Sequence, residues 1–138
     1  MINKSVIFLS LFLFSCSAYS NQTEEIKPKN LKCGSNSGVE FYNKNGLFIQ
    51  SDKDFNYKLK LIDKNLNKDD FNFIYISEPK NSGGYVLELK KIIKKKDKHR
   101  VYFKENKPLQ GSANIMAVTA TYCFLKVDSF NKVEVFIK

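Results

Sequence analysis

The apolar positions of this chain change their spacing as it runs. Val6 to Phe14 is an almost unbroken apolar run. Residues 21–32 are polar, contain Pro28 and show no period, which predicts a flexible tether ending near Cys33. Val39 to Tyr42 and Leu47 to Gln50 then flank Asn45-Gly46, the pattern of a hairpin with a tight turn. From Phe71 onward the chain is rich in β-branched and aromatic residues. Strands are predicted over Phe71 to Ser77, Tyr85 to Ile93, His99 to Glu105, Ala117 to Val127 and Val133 to Ile137. Several of these runs are apolar on both faces. Tyr85, Leu87 and Leu89 would point one way and meet Val101 and Phe103 across a hairpin whose loop is Lys94 to Lys98.

The stretch after Ser51 supports two readings. Phe55, Leu59 and Ile62 lie on one helical face, and Ser51 with Asp54 fits a helix start. Yet Phe55, Tyr57, Leu59 and Leu61 also alternate with polar residues, as in a strand. No internal repeat and no linker divides the rest, so residues 33–138 form one domain.

Lys4 ahead of the Val6 to Phe14 run, with small and polar residues after it, has the layout of a signal peptide over residues 1–20. The run is too short to cross a bilayer, which takes about 20 apolar residues. Two cleavage sites are open. Ala18-Tyr19-Ser20 suits ordinary signal peptidase, which would release a soluble periplasmic or secreted protein. Leu13-Phe14-Ser15-Cys16 resembles a bacterial lipobox, which would leave Cys16 lipidated and the protein anchored, as an outer-membrane lipoprotein is.

Export changes how the charge and the cysteines read. The formal net charge is +9, and removing residues 1–20 takes away one lysine, which leaves about +8. Cys33 and Cys123 are then the only cysteines of the folded part, and two thiols in an oxidising space are expected to pair. Two cysteines and one distant histidine do not make a zinc site, and neither a metal nor a cofactor is expected.

Asp70-Phe71 leads into a strand. Then comes Pro79-Lys80-Asn81-Ser82-Gly83-Gly84-Tyr85-Val86-Leu87-Glu88-Leu89, followed by Val101 to Glu105, Lys107-Pro108 and Met116 to Tyr122. In order and spacing these elements resemble the PrcB C-terminal domain family, whose founding member is the small lipoprotein subunit of a dentilisin-type protease complex. Ser82 replaces a threonine of the family pattern, and Thr121 stands where proline is common. The resemblance implies a helix before the Asp70-Phe71 strand and so moves residues 52–62 toward helix. With the strands read from the residues, the expected fold is α+β and β-rich: a twisted antiparallel sheet of about six or seven strands with one short helix. Its functional implication is protein binding, as an accessory or assembly subunit for a secreted or envelope protease. A shorter likeness, of the glycine-glycine-tyrosine loop to chagasin-type inhibitors, implies direct protease inhibition instead.

Two surface features follow from the residues themselves. Ser82, Gly83, Gly84 and Tyr85 make either a turn or bulge leading into a strand, or a loop that contacts a partner with Tyr85 as its anchor. Lys90 to Arg100 holds eight basic side chains in eleven residues, counting His99. It is either a solvated hairpin tip that discourages edge pairing, or a patch for phosphates, anionic lipid or a cell surface. Export argues against nucleic acid. No acid, base and nucleophile set is evident around His99, the only histidine, and catalysis is not expected.

Overall fold

The computed structural model describes residues 23–111, 116–129 and 132–138. The signal segment 1–20 and Cys16 lie outside the described residues. Among the described residues eight strands form two four-stranded sheets, and two short helices lie beside the second sheet. The strands are β1 (Thr23–Ile26), β2 (Asn30–Asn36), β3 (Gly46–Ile49), β4 (Phe73–Ile76), β5 (Val86–Lys95), β6 (Lys98–Asn106), β7 (Ala120–Lys126) and β8 (Lys132–Ile137). The helices are α1 (Val39–Tyr42) and α2 (Lys53–Ile62), and a 3-10 turn covers Lys68–Asp70. Sheet order is β1-β5-β6-β8 in the first sheet and β2-β7-β4-β3 in the second.

The runs that are apolar on both faces explain this layering. In β7, Cys123 and Leu125 turn toward the first sheet and pack with Leu87, Ile92, Val101 and Phe103. Ala120, Tyr122 and Phe124 turn the other way, onto Phe41, Phe55 and Leu59 of the helices. In β4, Phe73 joins the core between the sheets while Ile74 and Ile76 join the helical core. The second sheet is therefore the middle layer of three, and a strand covered on both sides needs apolar residues at successive positions.

The β-rich α+β class is as expected, while the single antiparallel sheet is corrected to two sheets with one parallel pair. After β6 the chain crosses to the second sheet as β7 and returns as β8, so β8 runs parallel to β6. The expected tether over residues 21–32 is also corrected, because residues 23–26 and 30–32 are in strands. Thr23 to Ile26 pair with Lys95 to Ile92, and Asn30 to Asn36 pair with Lys126 to Ala120. Polar residues suffice there because both strands are sheet edges.

The hairpin expected around Asn45-Gly46 does not form. Val39–Tyr42 is a single helical turn that drops Phe41 into the core, where its ring meets Tyr122 edge-on at 5.2 Å. Gly46, at φ +123, begins β3, whose partner is β4. Lys58 makes the short helix possible: its ammonium donates to the carbonyls of Glu40 at 2.5 Å and Phe41 at 2.7 Å. Those are terminal carbonyls that the helix itself cannot satisfy. Residues 53–62 are helical, with Asp52 rather than Ser51 at the N-cap and Phe55, Lys58 and Leu59 buried.

Candidate functional site

The loop that carries Ser82 to Tyr85 leaves β4 at one end of the two-sheet body. There β4 and β6 end and β5 and β7 begin. After Ile76 the chain stays beside β7: Ser77 N–H donates to Thr121 O at 2.9 Å, and Lys80 and Thr119 exchange two backbone hydrogen bonds of 2.7 and 2.9 Å. Thr119 then donates through Oγ1 to Ser82 O at 3.0 Å. Gly84 adopts φ 87, a left-handed conformation that favours glycine, and Tyr85 delivers the chain into β5. The loop is thus anchored at both ends.

Beneath the loop lies a polar cluster that joins the two sheets. Glu105 of β6 pairs with Lys80 at 3.1 Å and accepts from Thr121 Oγ1 of β7 at 2.9 Å. Thr121 Oγ1 also lies 2.7 Å from Ser77 Oγ, which accepts from Thr121 N–H at 3.1 Å and donates to Glu78 O at 3.2 Å. Ser77 and Thr121 are buried. Burial and the nearby carboxylates of Glu105 and Glu78 hold the Tyr75 phenol above its ordinary pKa. Lys80 Nζ also stands 5.8 Å from the centre of the Tyr85 ring, so one ammonium ties the loop tyrosine to the cluster. Sequence reasoning missed Lys80, Glu105, Thr119 and Thr121, because the residues meet only through the pairing of distant strands.

Tyr85, Val86 and Leu87 form one wall of a small cleft whose other wall is Cys33, Gly34 and Ser35. Cys33 and Cys123 are bonded across β2 and β7, directly opposite in register with Cα atoms 4.1 Å apart. Next to them Gly34 faces Tyr122, whose Oη would lie 2.6 Å from any Cβ added to that glycine. The loop end also exposes large apolar side chains. Val86 is 57% exposed, Val118 40%, Met116 91% and Leu109 84%. These come from the segments that flank Ser82 to Tyr85 and from the stretch after β6.

The basic hairpin is tighter than expected, because Lys95 pairs with Lys98 and the turn is only Lys96-Asp97, with Lys96 at φ 53. His99 points into the core, where burial and then Lys94 push its pKa below the ordinary value. Among the described residues, no group of three or more His, Cys, Asp or Glu could hold a metal ion, and no helix is long and apolar enough to cross a membrane. No protein family model matches the chain, and no curated protein or solved structure matches it.

Proposed function

We propose that this chain is an exported, non-catalytic protein-binding domain that serves another exported protein, a secreted or envelope protease, as an accessory or assembly subunit. The observation that carries the reading is the loop end. A braced glycine-glycine-tyrosine loop leads directly into exposed Val86, and exposed Val118 adjoins Thr119, whose hydroxyl braces the loop at Ser82. Apolar side chains grouped on a surface are a mark of protein contact. Tyr85 supplies a half-buried aromatic ring with a polar tip, the residue type favoured at interface centres. The Cys33–Cys123 bond agrees with an oxidising compartment. The resemblance to the PrcB family points to the same role. Ser77, Lys80 and Glu105 are engaged in joining the sheets, which favours a structural over a catalytic use of these groups.

The experiment is titration of the purified protein into a papain-type and a subtilisin-type protease. Complex formation with activity retained supports the accessory role. Stoichiometric loss of activity would assign direct inhibition instead. Tyr85→Ala is expected to weaken either complex, and unchanged binding would remove the loop from the contact.

A further inference from the structure

The outward face of the first sheet carries a second surface, distinct from the loop end. Along β6 the buried residues His99, Val101 and Phe103 alternate with Lys98, Arg100, Tyr102 and Lys104, which face out. On β8, Glu134 and Phe136 face out in the same way beside partly buried Val133 and Val135. Among the described residues no element packs on this face.

One row across three strands organises it. Lys91, Tyr102 and Phe136 are register neighbours on β5, β6 and β8. Phe136 stacks on Tyr102 with centroids 5.0 Å apart and an interplanar angle of 15°, and Lys91 Nζ lies 5.0 Å from the Tyr102 ring centre. The two neighbours approach from the two sides of β6, so both faces of the Tyr102 ring are covered. Beside this row is a groove of about 570 Å³ whose lining includes Tyr102, Phe103, Phe136 and Ile137. Lys90, Lys91, Lys104 and Lys138 stand around it, and Phe136 and Ile137 are each 42% exposed. Glu88 pairs with Lys90 at 3.0 Å. Lys91, Lys104 and Lys138 have no ion-pair partner among the described residues.

We infer that this face docks on an anionic phospholipid surface, with lysines meeting phosphate groups and Phe136 entering the boundary with the acyl chains. Charge complementarity selects the sign of the occupant, and the groove selects its body, because lysines around an exposed aromatic ring match a phosphate attached to hydrocarbon. A single-stranded nucleic acid or a sugar would stack on an open ring face, and the Tyr102 ring is already taken by Phe136 on one side and Lys91 on the other. Compact lysine ammoniums spread over a sheet face suit a fluid array of phosphates better than a ligand of fixed geometry.

The test is co-sedimentation of the chain, carrying Cys16→Ser so that no lipid is attached, with vesicles of phosphatidylcholine alone or mixed with phosphatidylglycerol. Any retained leader acts on both vesicle types, so their difference is the readout. The protein should partition onto the mixed vesicles and lose that preference as salt rises. Lys104→Gln and Lys138→Gln should each weaken binding about fivefold. Phe136→Ser should weaken it about tenfold, while Tyr85→Ala leaves it unchanged. Equal binding to both vesicle types, wild-type binding by Phe136→Ser, or equally tight binding of a single-stranded oligonucleotide would each overturn the inference.

Discussion

Glu105 in one sheet accepts a 2.9 Å hydrogen bond from Thr121 in the other, and this contact, with Lys80 on the far carboxylate oxygen, fastens the two layers directly below the glycine loop. Thr121→Val keeps the shape of the side chain but removes the hydroxyl that donates to Glu105, while Lys80 and the Thr121 N–H keep their partners. A hydrogen bond to a charged group is worth about 1.5–3 kcal/mol. Urea unfolding should show a loss of that size, and Tyr85→Ala, which leaves the cluster intact, should not match it.

Joining Cys33 to Cys123 closes a loop with a sequence separation of 90. In the chain-entropy view a link over this separation stabilises by about 4.5 kcal/mol by limiting the unfolded chain, and native disulfides typically contribute about 2–4 kcal/mol. The paired Cys33→Ala and Cys123→Ala variant should fold into the same sheets with a correspondingly lower urea midpoint. β2 keeps its backbone ladder to β7 without the bond.

Lys58→Met tests the one-turn helix that took the place of the expected hairpin. The methionine fills much of the space but leaves the carbonyls of Glu40 and Phe41 without their donor. A charged donor to such groups is worth about 1.5–3 kcal/mol. Hydrogen exchange should show residues 39–43 opening before the sheets.

His99 gives the fold a pH dependence in the range of ordinary histidine. Its folded pKa lies below 6.5, by burial first and by Lys94 second, and its ladder neighbours are Lys94 on β5 and Val133 on β8. The unfolded chain therefore binds the proton more readily. Stability should be full above pH 6.5 and fall as pH drops from there toward the folded value. Glu88, Asp128 and Glu134 have pKa values lowered chiefly by lysines, so their contributions are lost further down, from the ordinary carboxylate range toward their lower folded values. His99→Phe should flatten the slope near pH 6 in denaturant titrations followed across pH.

Much of the body was legible because strands announce themselves through their side chains. Both the β5–β6 hairpin and the pairing of Leu89 with Phe103 follow from alternation, and Cys33 with Cys123 follows from counting. The edge strands β1 and β2 were not legible, since edges with a polar outer face carry little apolar signal. The turn at Asn45-Gly46 misled because the residues before it form a helical turn that buries Phe41 and is held by the distant Lys58, which local pattern does not show. The split into two sheets was hidden as well: the apolar residues on both faces of β7 showed burial, without showing what covers each face. Of the loop end, Ser82 to Tyr85 could be read directly, but its bracing by Lys80, Thr119 and Glu105 depends on strand order. The basic aromatic face was within reach, since Lys98, Arg100, Tyr102 and Lys104 alternate with apolar residues in plain sequence.

The loop end is the surface proposed to hold another protein. The direct measurement is site-specific photocrosslinking in the expressing organism, with the crosslinker placed at Val86 or, as a control, at exposed Tyr57 on α2. Position 86 should yield one discrete heavier species that contains an exported protein, lost when Tyr85→Ala is added, and position 57 should yield none. Absence of an adduct at 86, or the same adduct from both positions, would contradict the assignment.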